Sequence, residues 1–106
     1  MAQQDERTRL VSDLEELAEL LASVGEDSWA LRLGTVRGRI SDGDRGGLHE
    51  LIEMIGGPGD DGLNDLVIHP LRGHVVDEED LDEVNQRLGL LTTTCFRLAR
   101  VLLRSP

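Results

Sequence analysis

A chain of 106 residues with a formal net charge of −10, 39% hydrophobic and 30% charged residues, reads as one globular domain over residues 1–106 with a modest stability margin. The charge disfavours general binding to nucleic-acid backbones or anionic membranes, and no apolar run reaches the ~18 residues of a membrane-spanning helix. The basic residues are all Arg, Tyr is absent, and Trp29 and Phe96 are the aromatics; lysine chemistry is therefore unavailable and stacking surfaces for flat cofactors are scarce.

The polar start MAQQDERTRL lacks the basic and apolar segments of a signal peptide, and the single Cys95 cannot form an internal disulfide. Both point to a cytoplasmic protein. A first helix is expected over residues 5–24. Leu10, Leu14, Leu17, Leu21 and Val24 recur at alternating spacings of four and three, Val11 and Ala18 widen the stripe, and Gly25 ends it.

A second helix is expected over about 28–41, capped by Asp27 or Ser28, with Trp29, Leu33, Val36 and Ile40 facing inward. Gly34 and Gly38 in this helix suggest close approach of a neighbour. Asp44 caps a third helix over about 45–55, whose apolar face is Leu48, Leu51, Ile52 and Ile55. Gly56-Gly57-Pro58 stops it.

Residues 57–77 form a long connection, which calls for internal structure. Asn64 is expected to cap a short helical turn from Asp65 to about Ile68, anchored by Leu66, Val67 and Ile68 and ended by Pro70. Asp77 then caps a fourth helix with Glu78, Glu79 and Asp80 in its first turn. Leu81, Val84, Leu88, Leu91, Cys95, Leu98 and Leu102 repeat without a break, while Leu90, Phe96, Val101 and Leu103 lie off that seam. Gly89 and Thr92–Thr94 mark a weak point where the helix could bend.

Candidate chemistry is sparse. Asp42 to Glu53 approximates a calcium loop, with carboxylates at its first, third and twelfth positions and Gly47 at its sixth. The helical periodicity of Leu48, Leu51, Ile52 and Ile55 opposes that reading and favours Asp44 as a cap. The glycine loop lacks the Lys-Ser/Thr pair of a phosphate loop, and Asp60 and Asp61 would repel an anion. With Asn64 and Asp65 they could instead gather a hard cation. His69 and His74, near Asp77 and Glu78, lack further zinc ligands and read as polar loop residues. Cys95 occupies a core position, and the carboxylates sit on solvent faces where nothing shifts their pKa values. No catalytic set, metal site or cofactor site is assembled, and the chain is read as a non-enzyme.

The order of short motifs resembles a family of small bacterial domains of unknown function. Its pattern runs Gly-(Glu/Asp)-Asp-x-Trp, then Gly-Asp-x-x-Gly-Leu, then Gly-Gly-Met-Gly-Ser-x-Asn-Asp-Leu. This chain carries Gly25-Glu26-Asp27-Ser28-Trp29, Gly43-Asp44-Arg45-Gly46-Gly47-Leu48, Gly56-Gly57-Pro58-Gly59 and Leu63-Asn64-Asp65-Leu66-Val67. It departs where Pro58 replaces Met and Asp60-Asp61-Gly62 replaces a single Ser. The resemblance implies a helical fold and a bacterial setting, and brings no activity.

The expected architecture is all-α: a small four-helix bundle with a Gly-rich loop and a short extra helical turn between helices three and four. The first and fourth helices should pack antiparallel at about 20°, covered by the second and third. The expected function is an acidic protein-interaction module, immunity-like or accessory, that binds a basic protein through Asp60, Asp61, Asp65, Glu78, Glu79, Asp82 and Glu83. Two alternatives stand beside it. One is a homodimer formed through Leu90, Val101 and Leu103 of the fourth helix; the other is a small-ligand or cation site at the Gly-rich loop.

Overall fold

A computed structural model describes residues 2–56 and 62–104, with side chains from residue 5 onward. It contains α1 (Ala2–Ser23), α2 (Asp27–Ser41), α3 (Arg45–Gly56) and α4 (Leu81–Arg104), with 3-10 turns at Leu63–Asp65, Pro70–Arg72 and Glu78–Asp80. No strand occurs among the described residues. The helices close a ring: α1 packs on α2, α2 on α3, α3 on α4, and α4 on α1. Arg7 and Leu102 line one cavity, and Leu20 and Val84 line another at the opposite end, so α1 and α4 run antiparallel.

The period of the apolar residues explains the ring. Leu10, Leu14, Leu17, Leu21 and Val24 are all buried, as are Leu33, Val36 and Ile40 of α2 and Leu48, Leu51 and Ile55 of α3. Each row projects one stripe inward. From α4 come Leu88, Leu91, Cys95, Leu98 and Leu102, joined by Ala99 and Thr92. Leu81 and Val84, at the start of the seam, are only half-buried, as is Trp29. Met54 adds to the core from α3. Leu103 packs against the core, on the side of α4 away from exposed Leu90. The helix continues unbroken through Gly89 and Thr92–Thr94.

The corners are built by backbone chemistry. At the end of α1, Gly25 takes φ 91°; its N–H reaches Ala22 O at 3.1 Å and the next N–H, of Glu26, reaches Leu21 O at 2.8 Å. Gly43 repeats the arrangement at φ 85°, with bonds to Ile40 O and from Asp44 N to Arg39 O. A side chain at either position would be strained in the left-handed region, so glycine ends both helices cleanly. Asp44 then caps α3: its Oδ1 accepts the Gly46 N–H at 2.8 Å.

Four local expectations are corrected. The residue before α2 is Glu26, with no side-chain capping bond, because its carboxylate is engaged elsewhere. The extra turn lies at Leu63–Asp65, after Gly62 rather than Asn64; Leu66 to His69 are not helical, and Pro70 begins a turn instead of ending one. The anchors of that segment are Leu63 and Ile68, with Leu66 half-buried, whereas Val67 is 48% exposed. Asp77 caps a 3-10 turn through its carbonyl, to Asp80 N at 2.9 Å, and makes no side-chain cap.

The glycine expectations also change. Nothing lies within 4 Å of a Cβ placed at Gly34 or Gly38, so no other element of this chain packs closely against either. Close approach occurs at Gly47, where a Cβ would sit 3.0 Å from Arg39 Cβ and 3.1 Å from Ile40 Cγ1, and at Gly62, 2.8 Å from Ile55 O. Those two positions bring α3 against α2, and the connection against the end of α3. The expected stop at Gly57-Pro58 and the Asp60-Asp61 tip lie outside the described residues.

Candidate functional site

Two fixed segments shape the end of the bundle where α1 finishes and α4 begins. In the first, Asn85 of α4 reads the backbone of Ile68 twice: Oδ1 accepts the Ile68 N–H at 2.8 Å, and Nδ2 donates to Ile68 O at 3.0 Å. Nδ2 also donates to Leu81 O at 3.0 Å. The connection is thereby held against α4, and Ile68 is buried. Extended backbone lacks internal partners, so a half-buried amide supplies them.

In the second, His74 corrects the expectation of a polar loop histidine. Its side chain is only 6% exposed, and Nε2 lies 2.7 Å from Glu26 Oε1. On the other side of the ring, Nδ1 lies 3.0 Å from the His69 N and 3.1 Å from the His69 O, so the His69 backbone engages that nitrogen. His69 Nδ1 in turn accepts the Leu71 N–H. The next residue, Val75, donates its N–H to Val24 O at 3.0 Å. Both His74 nitrogens and His69 Nδ1 are occupied. Among the described residues no group of three or more His, Cys, Asp and Glu side chains is placed to hold a metal ion.

Between these segments lies a groove of about 400 Å³. Leu20 and Val24 of α1, Val75 and Val76 of the connection, and Val84 of α4 form its apolar walls; Asp77, Asp80 and Glu83 rim it, with Arg87 at one margin. Val75 is 72% exposed at the groove wall, with its N–H bonded to Val24 O. The three rim carboxylates have no hydrogen-bond or ion-pair partner among the described residues. Arg87 reaches Glu16 at 3.7 Å, a loose surface contact.

Of the residues expected to bind a partner, Glu78 and Glu79 lie on the 3-10 turn entering α4, and Asp82 and Glu83 in its first turn; all four are exposed. They cluster with Asp77 and Asp80 at one end of α4. Asp65 is exposed on the Leu63–Asp65 turn. Asp60 and Asp61 lie outside the described residues, as does the tip of the proposed cation site. Of the dimer candidates, Leu90 is 69% exposed while Val101 and Leu103 are half-buried.

Sequence reasoning missed the groove, because its floor is shared by three segments far apart in the chain. It also missed Arg45, which donates to Leu103 O at 2.7 Å and so ties the start of α3 to the end of α4. The expectation that carboxylates keep ordinary pKa values fails twice. Burial raises that of Asp13, against the lowering effect of Arg9. The hydrogen bond from Arg39, aided by the Gly46 N–H, lowers that of Asp44. Arg39 also pairs with Glu50. At Cys95, burial first and then the charge of Asp13 push the thiol up to about 12, so it is no nucleophile near neutral pH.

Scans against family models, curated proteins and solved structures each return no match. No helix among the described residues is long and apolar enough to cross a membrane.

Proposed function

We propose that this protein is an acidic helical interaction module that binds a basic partner protein, in the manner of an immunity or accessory protein. The observation that carries the reading is the groove at the head of α4: an apolar floor of Leu20, Val24 and Val84 under unpaired Asp77, Asp80 and Glu83. An apolar centre with a charged rim is the usual anatomy of a protein interface. Flanking Glu78, Glu79 and Asp82 extend the negative surface, which would speed encounter with a cationic partner. The bound segment would place an aliphatic side chain among the valines and Arg or Lys against the rim.

The test is an NMR titration with a synthetic helical peptide carrying a leucine stripe and arginines, against a control with serine in the stripe. Saturable shifts at Val24, Val75 and Val84 for the first peptide alone support the reading. Their absence at low ionic strength, together with no basic protein captured from the native cell extract, would end it. Asp77→Asn with Val84→Ser should abolish both signals.

A further inference from the structure

The outer face of α4 carries a second pattern, which shares Glu83 with the groove. Leu90 is 69% exposed near the middle of the helix. At 3.6 residues per turn, Glu83 two turns before it and Arg97 two turns after it share its face. Arg104 lies two further turns on. Glu83, Arg97 and Arg104 are exposed, and none has an ion-pair partner among the described residues. Arg100, at the edge of the face, lies 5.8 Å over the Phe96 ring. After Glu83 no acidic residue follows on α4. Arg87, one turn before Leu90 at the other edge and in loose contact with Glu16 at 3.7 Å, is the one basic residue in the first half of the helix; apart from it the face runs from negative to positive about an apolar centre.

We infer that this face pairs with the same face of a second copy of the chain, antiparallel, with Leu90 on the two-fold axis. Glu83 and Arg97 are equidistant from Leu90, so the pairing sets Glu83 of each copy beside Arg97 of the other, twice. A two-fold interface must be self-complementary in this way. The antiparallel order also opposes the helix dipoles favourably. An unrelated helix would have to reproduce the reversed charge order, whereas a second copy supplies it automatically. Gly89 leaves the space around its α-carbon empty, which lets the partner backbone approach beside Leu90. The net charge of −10 per copy opposes association over longer distances than the contact pairs act, and salt screens it. The dimer is accordingly expected at high protein concentration and at physiological more than at very low ionic strength.

Sedimentation equilibrium up to millimolar protein, at two ionic strengths, tests the inference. The wild-type chain should dimerise. Leu90→Asp, Glu83→Arg and Arg97→Glu should each raise the dissociation constant by about tenfold or more, with circular dichroism unchanged. The decisive arms are restorations: Glu83→Arg/Arg97→Glu in one chain should dimerise again, and the two single-charge variants, each monomeric alone, should pair with one another. A monomeric wild type at both ionic strengths overturns the inference. So does a dimer indifferent to these substitutions. Glu83 also rims the groove, so the peptide titration is run on Leu90→Asp, which leaves the groove lining intact; read on Val24, Val75 and Val84, it separates failure of the dimer from failure of the groove.

Discussion

His74 Nε2 and Glu26 Oε1 meet at 2.7 Å across a separation of 48 residues, and this contact clasps the long connection to the corner between α1 and α2. The imidazole is sealed, and the carboxylate that would otherwise cap α2 is drawn to it. His74→Ala leaves the His69 N–H and the Glu26 carboxylate without their partner. The expected loss is about 2 kcal/mol of unfolding free energy, measured by urea denaturation. Glu26→Gln keeps an oxygen acceptor and should lose clearly less. Hydrogen exchange adds a local readout: the Val75 amide, bonded to Val24 O, should lose protection in His74→Ala before the amides of α1 do.

Thr92 carries the one buried side-chain polar atom without a hydrogen-bond partner among the described residues. Thr92→Val keeps the shape and removes the hydroxyl, and helix propensity is nearly unchanged. Stability should rise by about 1 kcal/mol. Thr92→Ser, which keeps the hydroxyl and deletes a buried methyl, should fall below the wild type. A destabilised Thr92→Val would mean that the hydroxyl is bonded in solution.

The helical core was legible in the sequence because burial there follows period. Leu10, Leu14, Leu17 and Leu21 repeat on one face, and no tertiary detail is needed to place them. The connection was not legible to that degree. Leu63 and Ile68 are its anchors, but Leu66 and Val67 are just as apolar, and choosing among them depends on Asn85, seventeen residues away. The groove inherits the same limit: Val75 and Val84 become neighbours only once the His74 clasp and the α1 corner are formed. Positively charged Arg45 at the start of α3 runs against the usual dipole preference, and this was the signal that its partner lies elsewhere, at the end of α4.

The pH dependence of stability should separate Asp13 from Asp44. Burial raises the Asp13 pKa above its ordinary 3.8, so the folded state holds that proton more tightly than the unfolded chain. Its contribution to stability therefore falls as pH rises through 3.8 towards the raised value, and stays unfavourable at neutral pH. Asp44 has the opposite sign: its lowered pKa gives stability above the ordinary value that is lost on acidification. Asp13→Asn should exceed the wild type in melting temperature at pH ~7 and converge on it below both Asp13 values, while Asp44→Asn should start lower and converge from below. Thermal melts across the acid range measure both.

Cys95 is fully buried and its thiol is pushed up to about 12. A thiol reagent in mildly alkaline buffer should therefore label the native protein only through unfolding. The labelling rate should increase with urea along the slope of global unfolding. Rapid labelling without denaturant would show that α1 and α4 part locally around Asp13 and Cys95.

Glycine-to-alanine substitutions should split by environment. In α2, a Cβ at Gly34 or Gly38 meets nothing within 4 Å, so alanine removes only backbone freedom from the unfolded chain. Each substitution should stabilise by roughly 0.5–1 kcal/mol. Gly47 is also helical, and the propensity gain is the same, but its Cβ would meet Arg39 Cβ at 3.0 Å, Ile40 Cγ1 at 3.1 Å and Ile40 N at 3.3 Å. The last is backbone and cannot swing aside. Moving α3 away would also strain the Arg39 contacts with Asp44 and Glu50. Gly47→Ala should therefore destabilise, by about 1–3 kcal/mol for an overpacked contact. Equal gains at all three positions in chemical denaturation would mean that α2 and α3 pack less closely in solution than these distances require.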